Sequence, residues 1–446
     1  MHVSLDSALG RQRRLNSVGD SVLQIAPSAA AAYSLRSLTG GDPKVVRVRR
    51  SSGGEKDFTA SGVASGAMLS YVIEARTGWN IQPTFNDAPD GTATITSASS
   101  TATTSTVSFT GSGTIRVLPK SSYIAAEAGD QVVFNMSVSG LDSAMTFRIR
   151  KASSNTTVGT ASVSNGDNQD VTMNLTASSG YTGGYPHFTA DAGSGEATVT
   201  INSVTVNGKS GFVETWYDQS GNNRPLIQTT SGEQPLIVES GVFLNGVKAN
   251  QATSNDTMQN LQVSTDGTNA DFGTDDWASG ASLKLGAVYV GTVPAASVAT
   301  SSQNSIIWGG SRGVGAFQEG GVALSVVKAG TDSWRLRNER QGLSPSTMDV
   351  RLSLNTDADV VLYGTTDNRE FTINVNGSGS TETESADLDV REGQALSLFG
   401  AYNGTDGRYY QRSSGGVCKE CYLYAGDPVA NIPALATSIN AHYSIY

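Results

Sequence analysis

The feature that most limits what this chain can fold into is a two-residue alternation of apolar and polar side chains. It recurs in short runs that are broken by turn residues. Phe134, Met136 and Val138 share one face of Gln131 to Ser139, and Phe147 and Ile149 share one face of Thr146 to Arg150. Val199 and Ile201 do the same within Ala197 to Val206, and Val46 and Val48 oppose Arg47 and Arg49 within Val45 to Arg50. Period two places successive side chains on opposite faces of a half-buried strand. Ser139-Gly140, Asn165-Gly166, Ser179-Gly180 and Asn207-Gly208 separate such runs, and Asn374-Val375-Asn376-Gly377 ends on a hairpin pair. Ser and Thr exceed a fifth of the 446 residues, Gly contributes 50, and charged residues are 16% against roughly 25% in an average soluble protein. No Gly-X-Y period exists, which excludes collagen, and 38% hydrophobic content can build a core. The fold class predicted is all-β, with many short strands in sandwiches. Two helices are expected: Ala29 to Leu38, stopped by Gly40-Gly41, and Ile432 to Tyr443, with Ile432, Leu435, Ala436 and Ile439 at helical spacing.

The net charge of −10 and pI near 4.9 disfavour a nucleic-acid partner, which needs clustered Lys and Arg. No run of 18 apolar residues is present, so no membrane span is expected. Leu15 to Pro27 contains Asn16, Gly19, Asp20 and Gln24 and lacks the apolar block of a secretory signal. Cys418 and Cys421 form a C-x-x-C without a second ligand pair, inside Val417 to Tyr424, which reads as a strand. Three residues apart on a strand, they are expected on opposite faces as two ordinary thiols.

Composition also divides the chain. Residues 1–28 are a polar N-terminal arm with a tight basic cluster, Arg11, Arg13 and Arg14, beside Leu15. Between about residues 80 and 210 Lys and Arg become rare and Ser, Thr and Gly dominate. This predicts a discontinuous sandwich over 29–78 and 211–446, interrupted by a second β-sandwich over 79–210.

Three stretches carry a resemblance. They are Ala32-Tyr33-Ser34-Leu35-Arg36 with Val46 to Ser52, then Trp216-Tyr217-Asp218-Gln219-Ser220-Gly221-Asn222, and finally Ala441 to Tyr446. Together they resemble concanavalin A-like (laminin-G-like) jelly rolls of phage virion proteins and, more distantly, the catalytic domain of fungal α-L-arabinofuranosidases of the B type. The opening Leu5 to Gly10 and Val22 to Ile25 is similar to the start of phage tail or fibre proteins, and the insert is similar in style to carbohydrate-binding modules. The resemblance implies a virion protein, a tail fibre, spike or similar appendage, held by its arm on other virion proteins and adhering to host-surface glycans. It implies a homo-oligomer, a trimer being one form. A capsid decoration or cement protein is one alternative, and a glycan-degrading hydrolase on the same fold is another.

The chemistry read from residues is sparse. Glycoside hydrolysis needs two carboxylates facing one sugar, and among 40 acidic residues no pair stands out. The adjacent cysteines of the arabinofuranosidase family are missing. His2, His187 and His442 accompany no G-x-S-x-G elbow, and zinc would lack ligands. The chain is therefore expected not to be an enzyme, and no cofactor is implied beyond calcium. Asp271, Asp275 and Asp276 with nearby carbonyls can supply calcium oxygens, as laminin-G-like domains often do at the sandwich rim; the alternative is a solvated acidic loop. Tyr181, Tyr185 and His187 lie in a Gly-rich segment where rings can stack on sugars. The alternative is that Tyr185 and Phe188 plug the sandwich edge. In Trp216 to Gly221, Asp218 and Ser220 can cap a tight turn and Gly221 can take a positive φ.

Overall fold

The structure is a computed structural model. It describes residues 22–25, 27–77, 83–101, 104–119, 130–151, 156–176, 184–248, 261–263, 284–292, 304–310, 321–329, 331–339, 347–353, 359–367, 369–383, 395–398, 401–403, 408–410 and 416–446. The fold is all-β: antiparallel strands build two multi-stranded assemblies with separate cores. Among the described residues no helix is long and apolar enough to cross a membrane, and no cluster of three or more His, Cys, Asp or Glu is placed to hold a metal ion.

The last strand, Val417–Ala425, is central to the first assembly. Lys284–Thr292 pairs along one edge, and Ala31–Ser34 and Val242–Lys248 pair along the other. Its inward side chains Cys418, Cys421 and Leu423 join the sandwich core with Tyr33, Trp216 and Tyr289. Its outward Tyr422 and Tyr424 meet the closing helix Ile432–Tyr443 through Ile432, Leu435, Ala436 and Ile439. That helix has the bounds its apolar spacing predicts. Each fully buried large side chain contributes about 1.5–3 kcal/mol by removal from water.

The strand corrects the expectation for the two thiols. Its register slips between Val290↔Glu420 and Gly291↔Cys418, which leaves Lys419 as a bulge residue. One extra residue reverses the alternation beyond it, so both cysteines face the same core, buried and free of a disulfide.

Ala31–Ser34 is also a strand, not part of a helix. Ala31 and Tyr33 face the sandwich core and Ala32 faces the outer one, so all four residues are buried. Hydrogen bonding along the last strand on one side and to Asp218 and Gln219 on the other overrides the helical preference of alanine. Val22, in the short helix Val22–Ile25, is 4% exposed in the outer core. This end of the predicted arm is docked; Arg11, Arg13, Arg14 and Leu15 lie outside the described residues.

The second assembly enters and leaves through neighbouring strands, since Ala75–Thr77 pairs with Thr205–Asn207. Its core runs from Ala93 to Val206 around Phe109, Phe134, Phe147 and Phe188. The strands Ser105–Pro119 and Gly184–Asn207 each serve two sheets. Gly184–Asn207 pairs with Met145–Lys151 in its first half and with Gln131–Ser139 in its second. Strands that change sheet must turn a corner, commonly at a bulge, and the pairing of these two breaks between Asp191 and Glu196. Gly111 at this corner has φ +77°, and a Cβ there would sit 2.4 Å from the Thr92 carbonyl oxygen. Asp130 fastens the insert to the first sandwich: its Oδ1 accepts from Ser51 Oγ at 2.7 Å and from Lys209 N at 3.0 Å.

Candidate functional site

Three polar constellations are built by this framework, and two of them hold the fold together. The Trp216 to Asn222 segment forms a turn that completes the edge of the first strand. Asp218 Oδ1 accepts from Ala32 N and Ser220 N, both at 2.9 Å, and its Oδ2 accepts from Ser220 Oγ at 2.8 Å and Arg224 N at 3.0 Å. The Gln219 amide donates to the carbonyls of Ser34 and Arg36 and accepts from Leu38 N. Gly221 has φ +94°. Trp216 is fully buried against Tyr33, ring centroids 5.9 Å apart, and Tyr217 donates to Asp57 at 2.9 Å. The motif is thus a clamp on residues 29–38, with the Trp216 ring packed rather than presented.

The second constellation surrounds Glu420, which is 0% exposed. Oε1 accepts from Arg36 Nε, from Ser34 Oγ at 3.1 Å and from Tyr443 OH at 2.9 Å. Oε2 accepts from Arg36 Nη2 at 3.1 Å and Tyr422 OH at 2.5 Å. Burial alone would raise the Glu420 pKa; the Arg36 charge and these hydrogen bonds outweigh it and hold the carboxyl below its ordinary value. Burial and the neighbouring carboxylate push Tyr422 and Tyr443 up, so both remain donors. Lys419, paired with Asp359 at 2.5 Å, and Arg36 both lie over the Tyr443 ring, at 5.4 and 5.7 Å. Every acceptor position of Glu420 is filled by the protein, so this group locks the first strand, the last strand and the closing helix together.

The third constellation is exposed. On the second assembly, Gly166–Asn174, Gln131–Ser139 and the later half of Gly184–Asn207 lie side by side. Their inward residues are Val171, Phe134 and Val204 with their neighbours, and their outward ones are amides and hydroxyls with Val133 and the carboxylate of Asp170 among them. Two amide rows cross these strands in the same direction. In one, Asn207 Nδ2 donates to Gln131 Oε1 at 3.1 Å, and Gln131 Nε2 donates to Asn174 Oδ1 at 3.2 Å. In the other, Asn202 Nδ2 donates to Asn135 Oδ1 at 3.0 Å, and Asn135 Nδ2 donates to Asp170 Oδ1 at 2.9 Å. Hydroxyl pairs continue the face onto Ser105–Pro119, Thr106 with Thr200 at 3.0 Å and Ser108 with Thr198 at 2.9 Å. Ordered donors and acceptors at strand spacing, about 4.8 Å apart, can bind a polyhydroxylated chain.

Of the sequence-predicted sugar residues, His187 falls elsewhere. His187 is 1% exposed, which corrects its place in a sugar-binding loop: the strand that carries it is paired on both edges, with Arg148 and Arg116 opposite. Tyr181 and the Tyr185 side chain lie outside the described residues, as do Asp271, Asp275 and Asp276. The outward amides were the missed signal: the alternation that marks Phe134 and Met136 as core also turns Asn135 and Ser137 outward.

No family model matches the chain, and no curated protein matches it. Among solved structures, the binding domain of botulinum neurotoxin DC in complex with SialylT is similar at 12% identity and TM-score 0.33, over 50% of this chain and 48% of that one. The enzymatically active domain of bacteriophage CBA120 tailspike protein 2 is similar at 14% identity and TM-score 0.29, over 45% and 27%. A mutant Trypanosoma rangeli sialidase displaying trans-sialidase activity is similar at 14% identity and TM-score 0.32, over 51% and 32%. The chain thus spans half or less of the length of each. Enzymes stand among these likenesses, which corrects the expectation that the chain is not an enzyme.

Proposed function

We propose that this protein engages glycans, through the outward amide-and-hydroxyl face of its second sandwich, as a surface appendage of a bacteriophage particle. The observation that carries the reading is the pair of hydrogen-bonded amide rows from Asn207 to Asn174 and from Asn202 to Asp170. Side chains already tied to one another lose little further freedom when a ligand arrives. The virion setting is supported by the resemblance of the Trp216 to Asn222 turn and of the opening segment to phage virion proteins. In this reading a concanavalin A-like jelly roll over 29–78 and 211–446 carries the insert over 79–210, and the arm holds the chain to the particle.

A glycan array probed with the full chain tests the reading. Signal on one set of related glycans is expected. An array without signal, at protein concentrations that register millimolar affinities, would remove glycan engagement.

A further inference from the structure

We infer that the ligand of this face is an uncharged polysaccharide, read by hydrogen bonding without ionic contacts; this rests on the glycan reading above. The residues that form the amide rows and hydroxyl pairs include one carboxylate, Asp170, and no Lys or Arg. At the far end of the face Glu196 accepts from Thr96 Oγ1. An acidic glycan would find two like charges here and no counter-charge among the face residues, and it would lose its hydration without compensation.

The direction of the rows sharpens the match. A primary amide has two N–H donors and a carbonyl with two lone pairs. In both rows the donors run from the Gly184–Asn207 strand toward Gly166–Asn174. Among the described residues, the carbonyl oxygens of Asn207 and Asn202 at the start of the rows are not engaged, and neither is the Asn174 Nδ2 at the end. The face therefore offers acceptors along the Gly184–Asn207 side, and on the other side one donor, at Asn174, beside the acceptor Asp170. Sugar hydroxyls are donors and acceptors at once, so a neutral chain can satisfy both sides. No aromatic ring takes part in these rows, so binding at each face is weak and gains strength from several copies on one particle.

The test is retention of the full chain on immobilised neutral polymers (galactomannan, dextran, xylan) and acidic ones (alginate, hyaluronate), at low and high salt. Retention on a neutral polymer is expected, changing less than about twofold with salt. Asn174→Ala, at an exposed strand end, is expected to weaken it about tenfold together with Thr172→Ala, the exposed hydroxyl two residues before it on the same strand, with melting temperature unchanged. Retention on acidic polymers alone, lost at high salt, would overturn this inference and leave glycan engagement standing. Neutral retention unaffected by the double variant would also overturn it, because the ligand would then sit elsewhere. Retention on none of the five would count against both readings.

Discussion

Arg36 and Glu420 stand 384 positions apart in the sequence, yet their side chains meet in a two-point ion pair beneath the closing helix. Burying one charge without the other is costly. Arg36→Met is therefore expected to destabilise the fold by about 3–5 kcal/mol. The double variant Arg36→Met, Glu420→Met is expected to lose less than the single one, because no lone buried charge remains. Urea denaturation of the three proteins checks the order.

The same network sets an acid limit. His442 packs edge-on against Tyr443, and burial and the Arg36 charge lower its pKa below the ordinary 6.5. A lowered histidine stabilises the fold fully above 6.5 and loses that contribution as pH falls toward its folded value. Glu420, also lowered, stabilises above its ordinary 4.5 and loses that contribution as pH falls through its folded value. Stability is thus expected to fall in two steps, one below 6.5 and one below 4.5. His442→Gln should remove the first step and keep the second, read as melting temperature against pH.

Asp218 is the hub of the turn that clamps the first strand. Asp218→Ala removes four hydrogen bonds and is expected to cost about 2–3 kcal/mol. Asp218→Asn is expected to be little better, since an amide nitrogen replaces one oxygen while every neighbour it meets is a donor. Thermal unfolding of both variants decides this.

The corner of the second sandwich depends on a residue without a side chain. Gly111→Ala places a Cβ on the Thr92 carbonyl at positive φ and is expected to destabilise the insert by more than about 1 kcal/mol. Calorimetry should show the insert melting earlier, while the environment of Trp216, in the other core, persists.

Much of this architecture was legible in local pattern. The strand Gln131–Ser139 has the bounds expected from alternation and turn residues, and the Asn376-Gly377 turn joins Glu370–Val375 to Ser378–Thr383. What failed did so through tertiary pairing. Ala31–Ser34 is a strand because the last strand and Asp218 satisfy its backbone from far along the sequence. Cys418 and Cys421 share a face because of a bulge set by the register with Gly291. The candidate site was half visible: alternation assigns Asn135 and Ser137 to the outer face, but only strand order brings Asn174, Gln131 and Asn207 into one row. Attention to the aromatic Tyr181 to Phe188 segment missed it, because His187 and Phe188 are both buried.

The central claim is that glycan binding occurs on the outward amide face. Amide hydrogen exchange of the full chain, with and without purified host-surface polysaccharide, tests it most directly. The account predicts added protection confined to residues 131–139, 166–174 and 197–207. Protection that spares those strands and falls on the first sandwich would contradict it.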